Sequence, residues 1–259
     1  MKLRKPNVKN QKVQKIVDAA SIGIDDAVSA IKESGLPNKP LISSIAELTG
    51  LKKKKSAQLV ESMQATEQIA SDTHQMSFAF LGGGSFGTAM ANLAAKNGCD
   101  ATLWVRDKRT VKSLHKTRIN KKYLPNHKLD ERLKFSHDLQ TAVAGVDVIF
   151  VAVPSSAFRE MLTNIKPFIT HQAVVSLTKG MEKETFAMMS DIIQEVLPEV
   201  NFGVMSGPNL AVEIMDNMPT ATVIASESEP LRKAVQTALP SAFFRVFASG
   251  DIKGVELGG

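Results

Sequence analysis

Six consecutive residues, Gly82, Gly83, Gly84, Ser85, Phe86 and Gly87, constrain this chain more than any others. An apolar run, Phe78 to Leu81, leads straight into them and a helical stretch follows, so they read as GxGxxG set between a strand and a helix. Each glycine of the pattern answers a separate demand. Gly82 admits the tight turn, Gly84 lets the backbone approach a pyrophosphate, and Gly87 lets the helix pack closely on the strand. The helix N-terminus then offers unpaired N–H groups and a partial positive charge to phosphate oxygens. The pattern predicts a dinucleotide site built from Gly82, Gly84, Ser85, Phe86 and Gly87.

The rest of the chain is consistent with that turn. From Met76 onward short β-rich runs alternate with helical stretches, the mark of βαβ units and a mainly parallel sheet. The predicted strands are Phe78 to Leu81, Ala101 to Val105, Leu133 to Phe135, Val146 to Val153, Ala173 to Leu177, Phe202 to Met205, Thr220 to Ala225 and Phe244 to Phe247. The predicted helices are Gly87 to Asn97, Ser155 to Ile165, Glu184 to Val196, Asn209 to Met215 and Pro230 to Ala238. Most strands are continuous apolar runs rather than alternating ones, as expected when helices cover both faces of a sheet. The expected fold is α/β, a Rossmann-type doubly wound sheet over residues 76–248.

Residues 1–75 differ in character. They carry 12 Lys and Arg against 8 Asp and Glu, whereas the remainder of the chain holds 20 against 18, so most of the net charge of +6 belongs to this segment. Apolar residues recur there at helical spacing, in Val13, Ile16, Val17 and Ala20 and again in Ile42, Ile45 and Leu48, which predicts a helical or partly disordered extension. Ile45 to Leu51, the lysines 52–55 and Ala57 to Met63 faintly suggest a helix-turn-helix, but four adjacent lysines make a solvated face more often than a DNA-reading one. Nucleic-acid binding is therefore disfavoured against a partner-docking segment or a dispensable tail. No stretch approaches the ~20 apolar residues that cross a bilayer. A single cysteine, Cys99, cannot form an internal disulfide, and no secretory pattern opens the chain, so a cytoplasmic location is expected.

Two further strand ends carry chemistry. After the second strand come Arg106, Asp107, Lys108 and Arg109, where an NAD-selective site places an acid on the ribose. A guanidinium at Arg106 pairs with a 2′-phosphate, which favours NADPH over NADH; the alternative has Asp107 holding the ribose and both cofactors used equally. Lys179 stands at the end of the fifth strand, where an ammonium would attract a phosphorylated or carbonyl substrate. After the sixth strand, Gly207 allows close approach to a ligand, Pro208 suits a turn, and Asn209 is placed to cap the next helix.

Taken together, the motifs Gly82 to Thr88, Trp104 to Asp107, Tyr123 to Pro125, Val153 to Ser155, Lys179 to Gly180, Ser206 to Glu213 and Gly254 to Gly259 resemble, in order, the NAD(P)-dependent glycerol-3-phosphate dehydrogenase family. The resemblance covers residues 77–259. It implies that Ser85, Phe86, Arg106, Tyr123, Lys179 and Ala211 contact NADPH or NADH, and that Lys179, Gly207 and Asn209 border the substrate, with Asn209 standing where many members have Thr or Ser. It implies hydride transfer to dihydroxyacetone phosphate, giving sn-glycerol 3-phosphate for phospholipid synthesis; a homodimer is a separate expectation. In the family the GVExGG segment runs on into a lysine at the reacting carbonyl and an all-helical substrate domain. Residues 249–259 are accordingly expected to open that domain, no catalytic residue is assigned within the chain, and a fragment ending at Gly259 is expected to hold cofactor without turnover.

Overall fold

A computed structural model describes residues 76–259. The expectations for residues 1–75 lie outside the described residues. Eight strands, β1 (Ser77–Leu81), β2 (Asp100–Trp104), β3 (Lys134–Ser136), β4 (Val148–Val151), β5 (Ala173–Ser176), β6 (Phe202–Ser206), β7 (Thr220–Ala225) and β8 (Phe244–Ser249), form one sheet ordered β3-β2-β1-β4-β5-β6-β7-β8. The pairs from β3 to β6 are parallel; β7 runs antiparallel to β6, and β8 parallel to β7. The chain winds outward from β1 to β3 and then returns to β4, so the order reverses between β1 and β4. A crevice opens at the carboxyl ends of strands at such a point.

The two faces of the central strands bury different partners, because successive side chains alternate across a sheet. Phe78 and Phe80 of β1 and Phe150 of β4 lie on one face, with Phe150 stacked on Phe80 at 4.7 Å between centroids and edge-on to Phe78 at 5.4 Å. Helices α1 (Ser85–Lys96), α2 (Lys108–Thr117), α6 (Ala211–Met215) and α7 (Glu229–Ala238) contribute Met90, Leu114, Ile214, Val235 and others to that core. Ala79, Leu81, Ile149 and Val151 face the other way, against Ala142 and Val143 of α3 (Leu139–Val143), Phe158 and Leu162 of α4 (Phe158–Ile165) and Ile192 and Ile193 of α5 (Met189–Val196). A short final helix, α8 (Ile252–Leu257), follows β8, and the Glu256 carboxylate accepts hydrogen bonds from the backbone N–H and hydroxyl of Ser190 in the first turn of α5.

Several elements differ from expectation. α2 was not predicted: only Val111 and Leu114 are buried among ten mostly polar residues, so its apolar period is too sparse to read, and the Asp107 cap starts it. α3 and α8 were likewise missed, being five and six residues long. The expected helix from Ser155 opens with a 3₁₀ turn, Ser155–Ala157, before α4. That expected from Glu184 begins only at Met189. Residues 181–188 instead make a loop closed by a bridge between Met181 and Met188, in which Glu182 is drawn to Arg159 by two hydrogen bonds of 2.8 and 2.9 Å and Phe186 takes φ +57°.

Candidate functional site

The glycine turn sits at the β1–β4 reversal, and its residues differ in what surrounds them. Gly82 holds φ +131°, and a Cβ there would run into the Ala152 carbonyl just beyond β4. A Cβ on Gly87 would run into the Gly82 carbonyl and lie 3.0 Å from the Ala152 methyl. Gly83, the position the motif leaves free, is also closed, since its Cβ would lie 2.7 Å from Val105 Cγ2. Among the described residues Gly84 alone of the four meets nothing within 4 Å. It is the N-cap of α1, and no side chain of the described residues caps that helix. The first-turn N–H groups, including those of Ser85 and Phe86, therefore look onto an open cradle with the positive end of the helix behind it. Such a cradle fits the pyrophosphate of a dinucleotide.

At the end of β2, Arg106 is exposed in the bend that enters α2. Asp107 is the N-cap of α2: its carboxylate accepts from Arg109 N at 3.1 Å, Thr110 N at 3.2 Å and Thr110 Oγ1 at 2.8 Å. The Thr110 hydroxyl first, and then the Arg109 amide, hold its carboxyl below the usual carboxylate range. Both oxygens bond the helix end, while the side chain stays 51% exposed with lone pairs open to a further donor.

The residue that sequence reasoning missed is Asn120, buried at 2% exposure in the long connection between α2 and β3. Its Nδ2 donates to the Gly83 carbonyl at 3.0 Å and to Thr88 Oγ1 at 2.9 Å, and its own carbonyl accepts from Tyr123 N at 3.2 Å. Tyr123, 44% exposed, is thus carried on a segment fastened to the glycine turn. Thr88 and Asn92 are buried polar residues one turn apart on α1; Asn92 Oδ1 accepts from Asp130 N at 2.7 Å, so this helix face holds both ends of the connection. Polar residues inside an otherwise apolar helix were the available signal.

On the other side of the crevice, Lys179 Nζ donates to the Gly207 carbonyl at 3.0 Å, bringing the turns after β5 and β6 together. Asn209 does not cap α6, as expected from sequence; the N-cap is Leu210. The Asn209 amide instead donates to Thr220 Oγ1 at 2.9 Å and the Ala221 carbonyl at 2.6 Å, because β7 passes beside it. Gly207 answers the same neighbour, since a Cβ there would lie 2.8 Å from the Ala221 carbonyl. Its lack of a side chain is explained by β7 without a ligand. Asn209 Oδ1 and Ser206 Oγ are buried without a hydrogen-bond partner among the described residues. Buried polar atoms left so are costly, which marks them as places for a ligand or water. Ala211, half-buried, opens α6 next to them. Among the described residues no group of three His, Cys, Asp or Glu is placed to hold a metal, and no helix is long and apolar enough to cross a membrane.

Residues 77–232 match the model of the NAD-dependent glycerol-3-phosphate dehydrogenase N-terminus. A glycerol-3-phosphate dehydrogenase [NAD(P)+] of Psychrobacter cryohalolentis is 60% identical over 249 residues, 96% of this chain and 55% of that protein. One of Acinetobacter baumannii is 63% identical over 179 residues, 69% of this chain and 50% of its own length. The Psychrobacter match therefore reaches into residues 1–75. A crystal structure of glycerol-3-phosphate dehydrogenase from Coxiella burnetii superposes with a TM-score of 0.68 at 36% identity, covering 71% of this chain and 57% of that one. This chain spans about half the length of the curated relatives it matches. Because that family model covers residues 77–232, more than half of the chain, the chain belongs to the NAD-dependent glycerol-3-phosphate dehydrogenase family.

Proposed function

We propose that this chain is the cofactor-holding part of an enzyme that transfers hydride between NAD(P)H and dihydroxyacetone phosphate, giving sn-glycerol 3-phosphate. The observation that carries the reading is the contrast within one turn: Gly82, Gly83 and Gly87 admit no side chain, while Gly84 faces open space at an uncapped helix N-terminus. Nicotinamide, when bound, supplies or accepts the hydride. The residues of this chain bind and orient. Ser85 and Phe86 present their amides to the phosphates, Arg106 pairs with a 2′-phosphate and so favours NADPH, and Tyr123 and Ala211 flank the cofactor. Lys179, Gly207 and Asn209 border the substrate.

Reduction of a ketone puts negative charge on its oxygen, and a preorganised donor at that point lowers the barrier. The Lys179 ammonium retains donors beyond the one given to Gly207. Residues 76–248 form the cofactor domain in this reading, and residues 249–259, which open the substrate domain, pack against it through Glu256 and Ser190. The test is a titration of the chain with NADPH and NADH by nicotinamide fluorescence, then of the loaded protein with dihydroxyacetone phosphate. Saturable binding with NADPH the tighter is expected; no binding of either nucleotide overturns the reading.

A further inference from the structure

Among the described residues one side chain, Asn120, donates a hydrogen bond to the glycine turn. Asn120 is buried, and both hydrogens of its amide are used: one on the Gly83 carbonyl oxygen at 3.0 Å, one on Thr88 Oγ1 at 2.9 Å. A trans peptide is planar, with its C=O and the following N–H pointing in opposite directions. No cis peptide occurs among the described residues. Drawing the Gly83 oxygen toward Asn120 therefore turns the Gly84 N–H to the opposite side of the same plane. Glycine flanks this peptide on both sides, so rotation of the plane meets less steric resistance here than anywhere with side chains. Turned over, it would offer a carbonyl oxygen where an N–H had been, and an anion there would be repelled instead of bound.

We propose that Asn120 is a positioning residue for the phosphate cradle: by holding the Gly83 carbonyl it aims the Gly84 amide at the dinucleotide's pyrophosphate. The inference rests on the cofactor reading above. A purely structural role would be to fasten the connection that bears Tyr123, but Asn92 fastens the same segment through Asp130 without touching the glycines. The two roles can therefore be separated.

Asn120→Asp keeps size and shape while removing both donors and setting a carboxylate oxygen against the Gly83 carbonyl. Asn92→Ala loosens the connection and leaves the turn alone. Each variant of the full chain is titrated with NADPH and with adenosine 2′-monophosphate, which reaches the Arg106 end of the site but has no pyrophosphate. Asn120→Asp is expected to weaken NADPH about tenfold or more, the scale of one lost hydrogen bond to a charged group, while adenosine 2′-monophosphate changes less than about twofold. Asn92→Ala is expected to leave both within about twofold by the same reasoning. If Asn120→Asp does not fold, Asn120→Ala, which adds no charge, is scored by the same criteria. NADPH affinity unchanged in the Asn120 variant, equal losses for both ligands, or Asn92→Ala reproducing the effect each overturns the proposal. Failure of the wild-type chain to bind NADPH overturns the cofactor reading instead.

Discussion

Alanine at Gly84 and at Gly87 should separate binding from stability within one turn. At Gly84 the added methyl meets nothing within 4 Å, and φ −70°, ψ 179° is open to any residue. The remaining terms oppose each other: alanine is a poorer N-cap than glycine, but it restricts the unfolded chain by ~0.4–1 kcal/mol. Stability should move by less than about 1 kcal/mol, or roughly 2–4 °C in Tm for a domain of this size. At Gly87 alanine would gain up to ~1 kcal/mol of helix propensity. Its methyl, however, runs into the Gly82 carbonyl, a backbone atom fixed in the turn, and crowds Ala152 at 3.0 Å. Overpacking of that kind costs ~1–3 kcal/mol or more, so Gly87→Ala should lower Tm by roughly 2–12 °C. Affinity should rank differently, since the Gly84 methyl stands in the cradle itself: Gly84→Ala is expected to lose at least about tenfold in NADPH affinity while melting like wild type. Differential scanning fluorimetry without nucleotide and a calorimetric NADPH titration read the two quantities. A Gly84→Ala protein that melts as low as Gly87→Ala, or binds NADPH like wild type, would refute the assignment of open and closed positions.

Arg106→Ala should cost NADPH ~1.5–3 kcal/mol of affinity and NADH much less, because a 2′-phosphate supplies the charged acceptor; equal losses in parallel titrations would mean that the guanidinium stacks on adenine. Glu182 is held down to about 2, first by the Arg159 guanidinium and then by the Thr185 hydroxyl. Its folded value lies below its ordinary 4.5, so the stabilisation it gives is complete above 4.5 and is lost as pH falls toward about 2. Arg159→Met should therefore flatten the fall of Tm across that window, though only in part, because Asp130, held down to about 2 chiefly by Arg132, titrates there too; melts of wild type and variant with the same slope would contradict this. Phe150→Ala removes a fully buried ring stacked on Phe80 and should destabilise by ~3–5 kcal/mol in urea unfolding, where a loss under about 1 kcal/mol would mean that the core collapses into the gap.

The sequence by itself determined the features whose cause is local. Gly82 must tolerate φ +131°, and β1 and β4 must be apolar on both faces to lie between helix layers; each demand is met by residue type at the site, so the turn and all eight strands were legible. The strand ends that bear Arg106, Lys179 and Asn209 followed from the same alternation. What the tertiary structure alone decided depends on partners distant along the chain. Asn209 reads as a helix cap until β7 passes beside it, and Gly207 is small for the same neighbour. The helix predicted from Glu184 starts only at Met189, after a loop in which Glu182 pairs with Arg159, 23 residues away. Asn120 stands 37 residues from the carbonyl it holds, in a connection with no periodic pattern. Side-chain hydrogen bonds are short-ranged and directional, so which of several candidate partners a polar residue meets is set by the packing that brings them together, whereas backbone strain and apolar burial impose their requirement on the residue itself.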